Sequence, residues 1–210
     1  MAYSDFTLRK AKKDFNLTEV TRPLFTSTSS EPIEASKWLT ESLEMGLELA
    51  LGSSSEKARS EFIVAPILLD LRRRNQSFFA VHSGQNLDVD KEKGLNGECD
   101  FILSKGKMSY EINAPIFSMI EAKKSDIKAH LGQCTAQMVG ARLFNQNEGA
   151  EVDIIHGCVT TGEAWLFLKL EGDTIYIDQN RYYLNDLPKL LSVLQTILNF
   201  YNISNNSSIT

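Results

Sequence analysis

Apolar and polar positions along the chain change texture twice. Ile33, Leu39, Leu43, Leu47 and Leu51 fall at helical spacing, and Ser30 followed by Pro32 predicts where that helix starts. Gly52 and the serines Ser53 to Ser55 predict its end. A second helical run, Glu56 to Arg74, carries Phe62 and Leu69 on its expected apolar face. Pro66 lies in its middle, where a missing backbone donor should kink the helix or divide it in two.

From Phe78 onward the spacing shortens to strand-like runs, FFAVH, CDFIL and IFSMIEA, with SKGK between the last two as an expected hairpin turn. Helical spacing then returns in SDIKAHLGQCTAQMVGARLF, where Ile127, Leu131, Cys134, Met138 and Ala141 alternate at four and three residues behind Ser125 as N-cap. Gln133 and Gln137, one turn apart, fall beside that stripe. The runs DIIHGCVTT, AWLFLKL and TIYID read as three more strands, and a last helix is expected to start near Asp186. The first thirty residues are polar and end in TSTSS, which reads as a loop.

This order predicts an α/β fold with a mixed central sheet flanked by helices. The expected divisions are an N-terminal helical extension over 1–55, a core with its C-terminal helix over 56–202, and a disordered polar tail over 203–210. No apolar run approaches the roughly 20 residues of a membrane helix, and the first residues lack the apolar stretch of a signal peptide. The expectation is therefore a cytoplasmic protein with no membrane contact. Cys99, Cys134 and Cys158 are odd in number and far apart, so they read as free buried thiols.

A formal net charge of −5 argues against a nucleic-acid coat protein. It leaves room for a nucleic-acid enzyme, which needs only a local basic stripe and gains negative charge from an acidic metal site. Arg9 to Lys13, Arg72 to Arg74, and Lys123 with Lys124 and Lys128 are candidate stripes. His82, His130 and His156 lie on separate elements without zinc-ligand spacing. Only His130, which shares a face with Gln133 and Gln137, stands beside candidate chemistry.

That chemistry centres on Glu121-Ala122-Lys123. In a strand, residues two apart share a face, so Glu121 and Lys123 point together; a helix would turn them about 200° apart. Asp100 opens the preceding strand after a glycine turn, and two carboxylates converging from neighbouring strands can hold a hard divalent cation. Lys123 is a point charge suited to a phosphate oxygen or an attacking water.

Asp100, followed about twenty residues later by Glu121-Ala122-Lys123, resembles the signature of the PD-(D/E)xK nuclease superfamily, with Cys99 where the family has proline. The helix ahead of the strands carries Glu61, at a place where family members often have a metal-site carboxylate. Gln133 and Gln137 are similar to the glutamine that follows the signature in some members. Gly157 to Leu170 resembles part of the nuclease domain in type I restriction enzyme motor subunits. The resemblance spans about Glu56 to Leu170 and implies a restriction endonuclease-like fold.

It further implies hydrolysis of nucleic-acid phosphodiesters, with DNA the expected partner. Mg²⁺ or Mn²⁺ would be held by Asp100, Glu121, the Ala122 carbonyl and Glu61, with Lys123, Gln133 and Gln137 assisting. A homodimer or a separate targeting subunit would complete such an enzyme. The alternative is a non-catalytic module on the same fold that binds a partner protein or nucleic acid.

Overall fold

In this computed structural model, residues 1–25, 32–53, 55–150 and 152–203 are described. They form a mixed eight-stranded sheet flanked by helices. Its strands are β1 (Thr18–Arg22), β2 (Phe79–Asn86), β3 (Glu98–Lys105), β4 (Ile116–Ala122), β5 (Ile154–Thr160), β6 (Ala164–Glu171), β7 (Thr174–Asp178) and β8 (Tyr182–Tyr183). They lie in the order β1-β7-β6-β5-β4-β3-β2, with β8 beside β6. The β4/β5 and β1/β7 pairs are parallel and the others antiparallel.

Alternation along the strands divides the interior into two cores, one on each face of the sheet. Phe101, Phe117 and Ile120 face one core with Leu39, Leu43, Ile67 and Leu71, from α2 (Lys37–Gly52) and α4 (Ala65–Arg74), and with Leu194 of α6 (Leu187–Ile203). Ile102 and Met119 face the other, beneath α5 (Leu131–Asn147). Trp165 and Phe167 are sheet core, fully buried.

The N-terminal segment is more ordered than its polar composition suggests. A 3₁₀ turn over Tyr3–Asp5 and α1 (Leu8–Asp14) press Tyr3, Phe6 and Ala11 into the α5-side core, and β1 then pairs with β7 in parallel. Residues 1–55 thus supply a sheet strand as well as helices. The segment seats closely because α5 offers no side chain there. A Cβ on Gly132 would lie 2.1 Å from the Thr7 carbonyl carbon, and one on Gly140 would lie 2.2 Å from the Tyr3 hydroxyl.

Several boundaries move from their sequence positions. α2 begins at Lys37, where the Ser36 hydroxyl caps the Leu39 amide at 3.2 Å, so Ile33 precedes the helix. The start anticipated at Ser30 and the TSTSS loop lie outside the described residues. α5 and its leading 3₁₀ turn (Ile127–His130) are capped by Asp126 rather than Ser125. β3 continues through Lys105, and a connection over 106–115 replaces the expected tight hairpin. α6 runs to Ile203, and 204–210 lie outside the described residues.

The second helical run divides as Pro66 predicts: α3 (Glu56–Arg59), a π-turn (Ser60–Val64) and α4 follow one another. Proline cannot donate to the carbonyl four residues back, and the wider turn takes up the difference. The buried face is built from Ile63, Val64, Ile67, Leu68 and Leu71. Phe62 and Leu69, expected inside, are 36% and 48% exposed, because the extra residue in the π-turn rotates the segment about its axis.

Candidate active site

Phe101 pairs with Ile120 in the antiparallel β3/β4 ladder, which sets Asp100 across from Glu121. The register also ties these two strands at their open end, where the Ala122 amide donates to Asp100 Oδ2 at 2.8 Å. On the other side β4 is held to β5 in parallel, and the Lys123 amide donates to the Thr160 carbonyl at 2.7 Å. Glu121 and Lys123 therefore project from one strand end on one face, as the two-residue spacing predicts.

Lys123 Nζ lies 2.6 Å from Glu121 Oε1, 3.8 Å from Glu56 Oε2 and 4.0 Å from Asp100 Oδ2. Three carboxylates thus face one ammonium. Glu121 is only 2% exposed and is gripped from α5: Gln133 Nε2 donates to Oε1, and Gln137 Nε2 donates to Oε2 at 2.7 Å. Both glutamines are themselves buried, not on a polar edge of the helix. Helical spacing of four residues is what lets two successive turns reach the two oxygens of one carboxylate.

Burial and the neighbouring Asp100 charge push the Glu121 carboxyl up to about 7, against the pull of Lys123 and Gln137. Asp100 is also raised, again chiefly by burial, with Lys123 and the Ala122 amide opposing. Burial alone would pull the Lys123 ammonium down, but Glu121, Asp100 and Glu56 outweigh it and hold the pKa above its ordinary value. His130 stands at the rim beside Gln133, its pKa lowered by burial and by the Lys123 charge.

The cleft in front of Asp100 has a volume of about 540 Å³ and is walled by Glu56, Lys57, Glu61, Ser83 and Glu98. Glu61 belongs to this wall but not to the cluster; its side chain is half exposed and pairs with Lys57 at 3.8 Å. The helix carboxylate nearest Lys123 is Glu56, whose Oε1 also accepts the Lys124 amide at 3.3 Å. Sequence spacing carries no mark for Glu56. It is placed by the Ser55 cap that starts α3 and by Arg59, which anchors that helix to the Thr161 carbonyl at 2.7 Å and to Glu163 at 3.0 Å.

The donor set suits a hard divalent cation that retains water. Among the described residues no three His, Cys, Asp or Glu side chains form a closed metal cage. Asp100 at the open cleft, with Glu121 buried behind it, is a two-carboxylate set of the kind magnesium uses, with waters and substrate oxygens completing the shell. Burial raises both carboxyls, the Asp100 charge adds to the rise at Glu121 and the Glu56 charge to that at Asp100, and a cation would relieve each. Remote from this end, His82 bonds the Ser104 hydroxyl at 3.2 Å and His156 bonds Tyr201 at 2.6 Å, so both are packing residues. Cys99, Cys134 and Cys158 are free and buried, and burial raises all three thiols. No helix among the described residues is long and apolar enough to cross a membrane.

Compared with models of known protein families the chain matches none, and a search of curated proteins finds no match.

Proposed function

We propose that the chain is a metal-dependent nuclease with a restriction endonuclease-like fold, acting on DNA. The observation that carries this reading is the convergence of Asp100, Glu121 and Lys123 at adjoining strand ends, with Gln133 and Gln137 holding both oxygens of Glu121. Preorganised charge of this kind serves phosphoryl transfer, where positioning and charge neutralisation do most of the chemistry.

Asp100, Glu121 and the Ala122 carbonyl are the groups that would hold Mg²⁺ or Mn²⁺, with Glu56 or Glu61 reaching it from the helix side. Such an ion supplies Lewis-acid activation of water and neutralises phosphate charge. Lys123 keeps its proton at neutral pH, so it acts by holding an oxygen with its ammonium rather than as a free base. Gln133 and Gln137 keep Glu121 in one rotamer, and Arg59 fixes α3 so that Glu56 faces the strand end. Without a cation, a cleft walled by Glu56, Glu61, Glu98 and Asp100 repels a phosphate backbone, which makes activity conditional on the metal.

A second reading is a non-catalytic module on the same fold, and one observation favours it: Lys123, Gln133 and Gln137 already satisfy both Glu121 oxygens. Nicking of supercoiled plasmid and cleavage of single-stranded DNA, with Mg²⁺ or Mn²⁺, separate the two. Cleavage that disappears in Asp100→Ala and in Lys123→Ala supports the nuclease. Cleavage that survives both substitutions sinks it, and titration calorimetry with no divalent-metal uptake supports the module.

A further inference from the structure

The contact of Glu56 with the strand end has the form of a bound anion. Its Oε2 lies 3.8 Å from Lys123 Nζ, and its Oε1 accepts the Lys124 amide at 3.3 Å. The two oxygens of one carboxylate thus span an ammonium and a neighbouring backbone donor. A phosphodiester offers the same pattern, one negative charge shared by two oxygens that accept hydrogen bonds. A side-chain cation beside a main-chain N–H is also the kind of donor set that fixes a nucleic-acid backbone in position.

Glu56 differs from the other two carboxylates that face Lys123. Glu121 touches the ammonium at 2.6 Å and is held by Gln133 and Gln137, and Asp100 is tied to the Ala122 amide at 2.8 Å. Both belong to the sheet. Glu56 reaches in from a separate helix, and its side chain is 49% exposed. Each of its two contacts is longer than the roughly 2.7–2.9 Å of a strong charge-assisted hydrogen bond, so a competing anion has little to break. Glu56 also lines the cleft in front of Asp100, which gives its side chain open space to swing into. The helix need not follow, because Arg59 holds α3 to the Thr161 carbonyl at 2.7 Å and to Glu163 at 3.0 Å.

We infer that Lys123 Nζ and the Lys124 amide form a binding site for one phosphodiester group of the substrate strand, and that Glu56 fills this site as a built-in substitute until the strand displaces it. The inference takes its ligand from the nuclease reading and rests on it. Exchange of one anion for another leaves the charge on Lys123 balanced, so the swap itself costs little electrostatic energy. Glu56 thereby restrains binding in the empty site, which is the reverse of what a cation ligand would do: removing its carboxylate frees the site for the strand. The cation is left to Asp100, Glu121 and the Ala122 carbonyl.

The test is fluorescence anisotropy of a labelled single-stranded oligonucleotide with the full chain in chelator, where binding is read without cleavage. Glu56→Gln and Glu56→Ala, both at a half-exposed position, should keep the wild-type circular dichroism spectrum and tighten binding about fivefold or more. Glu61→Gln removes one charge from the same cleft wall without freeing Lys123, and should change binding by about twofold at most. A methylphosphonate oligonucleotide of the same sequence, whose backbone is uncharged, should show no gain, and adding Lys123→Ala to Glu56→Ala should abolish it. Glu56 variants that bind no better than wild type overturn the inference. So does an equal gain from Glu61→Gln, which would reduce the effect to the charge of the wall, and so does a failure of every chain to bind. Failure of the nuclease reading looks different: the Glu56 variants bind more tightly, yet neither they nor the wild type cut the oligonucleotide when Mg²⁺ or Mn²⁺ is added.

Discussion

Two buried ionisable side chains give the stability of this protein opposite dependences on pH. Glu121, raised to about 7 by burial and by Asp100, binds its proton more tightly folded than unfolded. Its contribution is fully favourable below the ordinary carboxylate range and falls as pH rises to about 7. His156, lowered to about 3 by burial and the Lys169 charge, does the reverse: the unfolded chain takes the proton first, so stability rises from pH about 3 to about 6.5. In chelator, Glu121→Gln should remove the decline towards neutrality, and His156→Gln should flatten the acid limb. The Glu121 change is worth about 3 kcal/mol and the His156 change about 5 kcal/mol, each across its window, read from urea midpoints at several pH values.

Among the elements, α5 is the most constrained. One face grips Glu121 through Gln133 and Gln137, and another seats the N-terminal segment through Gly132 and Gly140. Gly132→Ala would drive a methyl into the backbone of Thr7, which cannot rotate away, so a cost of about 2 kcal/mol or more is expected. Limited proteolysis should then cut ahead of β1 faster than in wild type, while the β3–β4 hydrogen bonds stay protected from exchange.

Elements with unambiguous spacing were legible in sequence: the strands from Phe79 to Asp178, the α5 stripe and the break at Pro66. Glu121 and Lys123 followed from strand alternation. Other features depended on contacts between distant parts of the chain. β1 has little apolar signal because it is an edge strand, exposed at four of its five positions. The exposure of Phe62 and Leu69 depends on a π-turn that periodicity at 3.6 residues does not anticipate. Glu56 outranks Glu61 at the cluster because Arg59 and the Ser55 cap orient α3, which no local spacing records. Asp126 takes the cap from Ser125 through a left-handed backbone, φ 45°, that aspartate tolerates.

At the scale of the whole molecule, a ligand that binds only the folded chain raises its melting temperature by mass action. If Asp100 and Glu121 hold Mg²⁺, magnesium at about a hundred times its dissociation constant should add about 2.7 kcal/mol, read as a rise of several degrees by scanning calorimetry. Asp100→Asn should abolish that rise. Glu61→Gln should leave most of it, because Glu61 pairs with Lys57 at the cleft wall. An equal magnesium response in wild type and Asp100→Asn would place the ion elsewhere.

The parallel pairing of β1 with β7 has a consequence for how the protein is made. Thr18 to Arg22 have as hydrogen-bonding partners Thr174 to Asp178, synthesised about 150 residues after them. Tyr3 likewise waits for Asn96, whose carbonyl accepts its amide at 3.0 Å. This segment can thus take its place only after strands that follow it by many residues are made, and until then the side of α5 that carries Gly132 and Gly140 stands uncovered on a nascent chain. Synthesis that pauses between α5 and β7 would prolong that exposure, and a chaperone that covers short apolar segments would have its longest opportunity there.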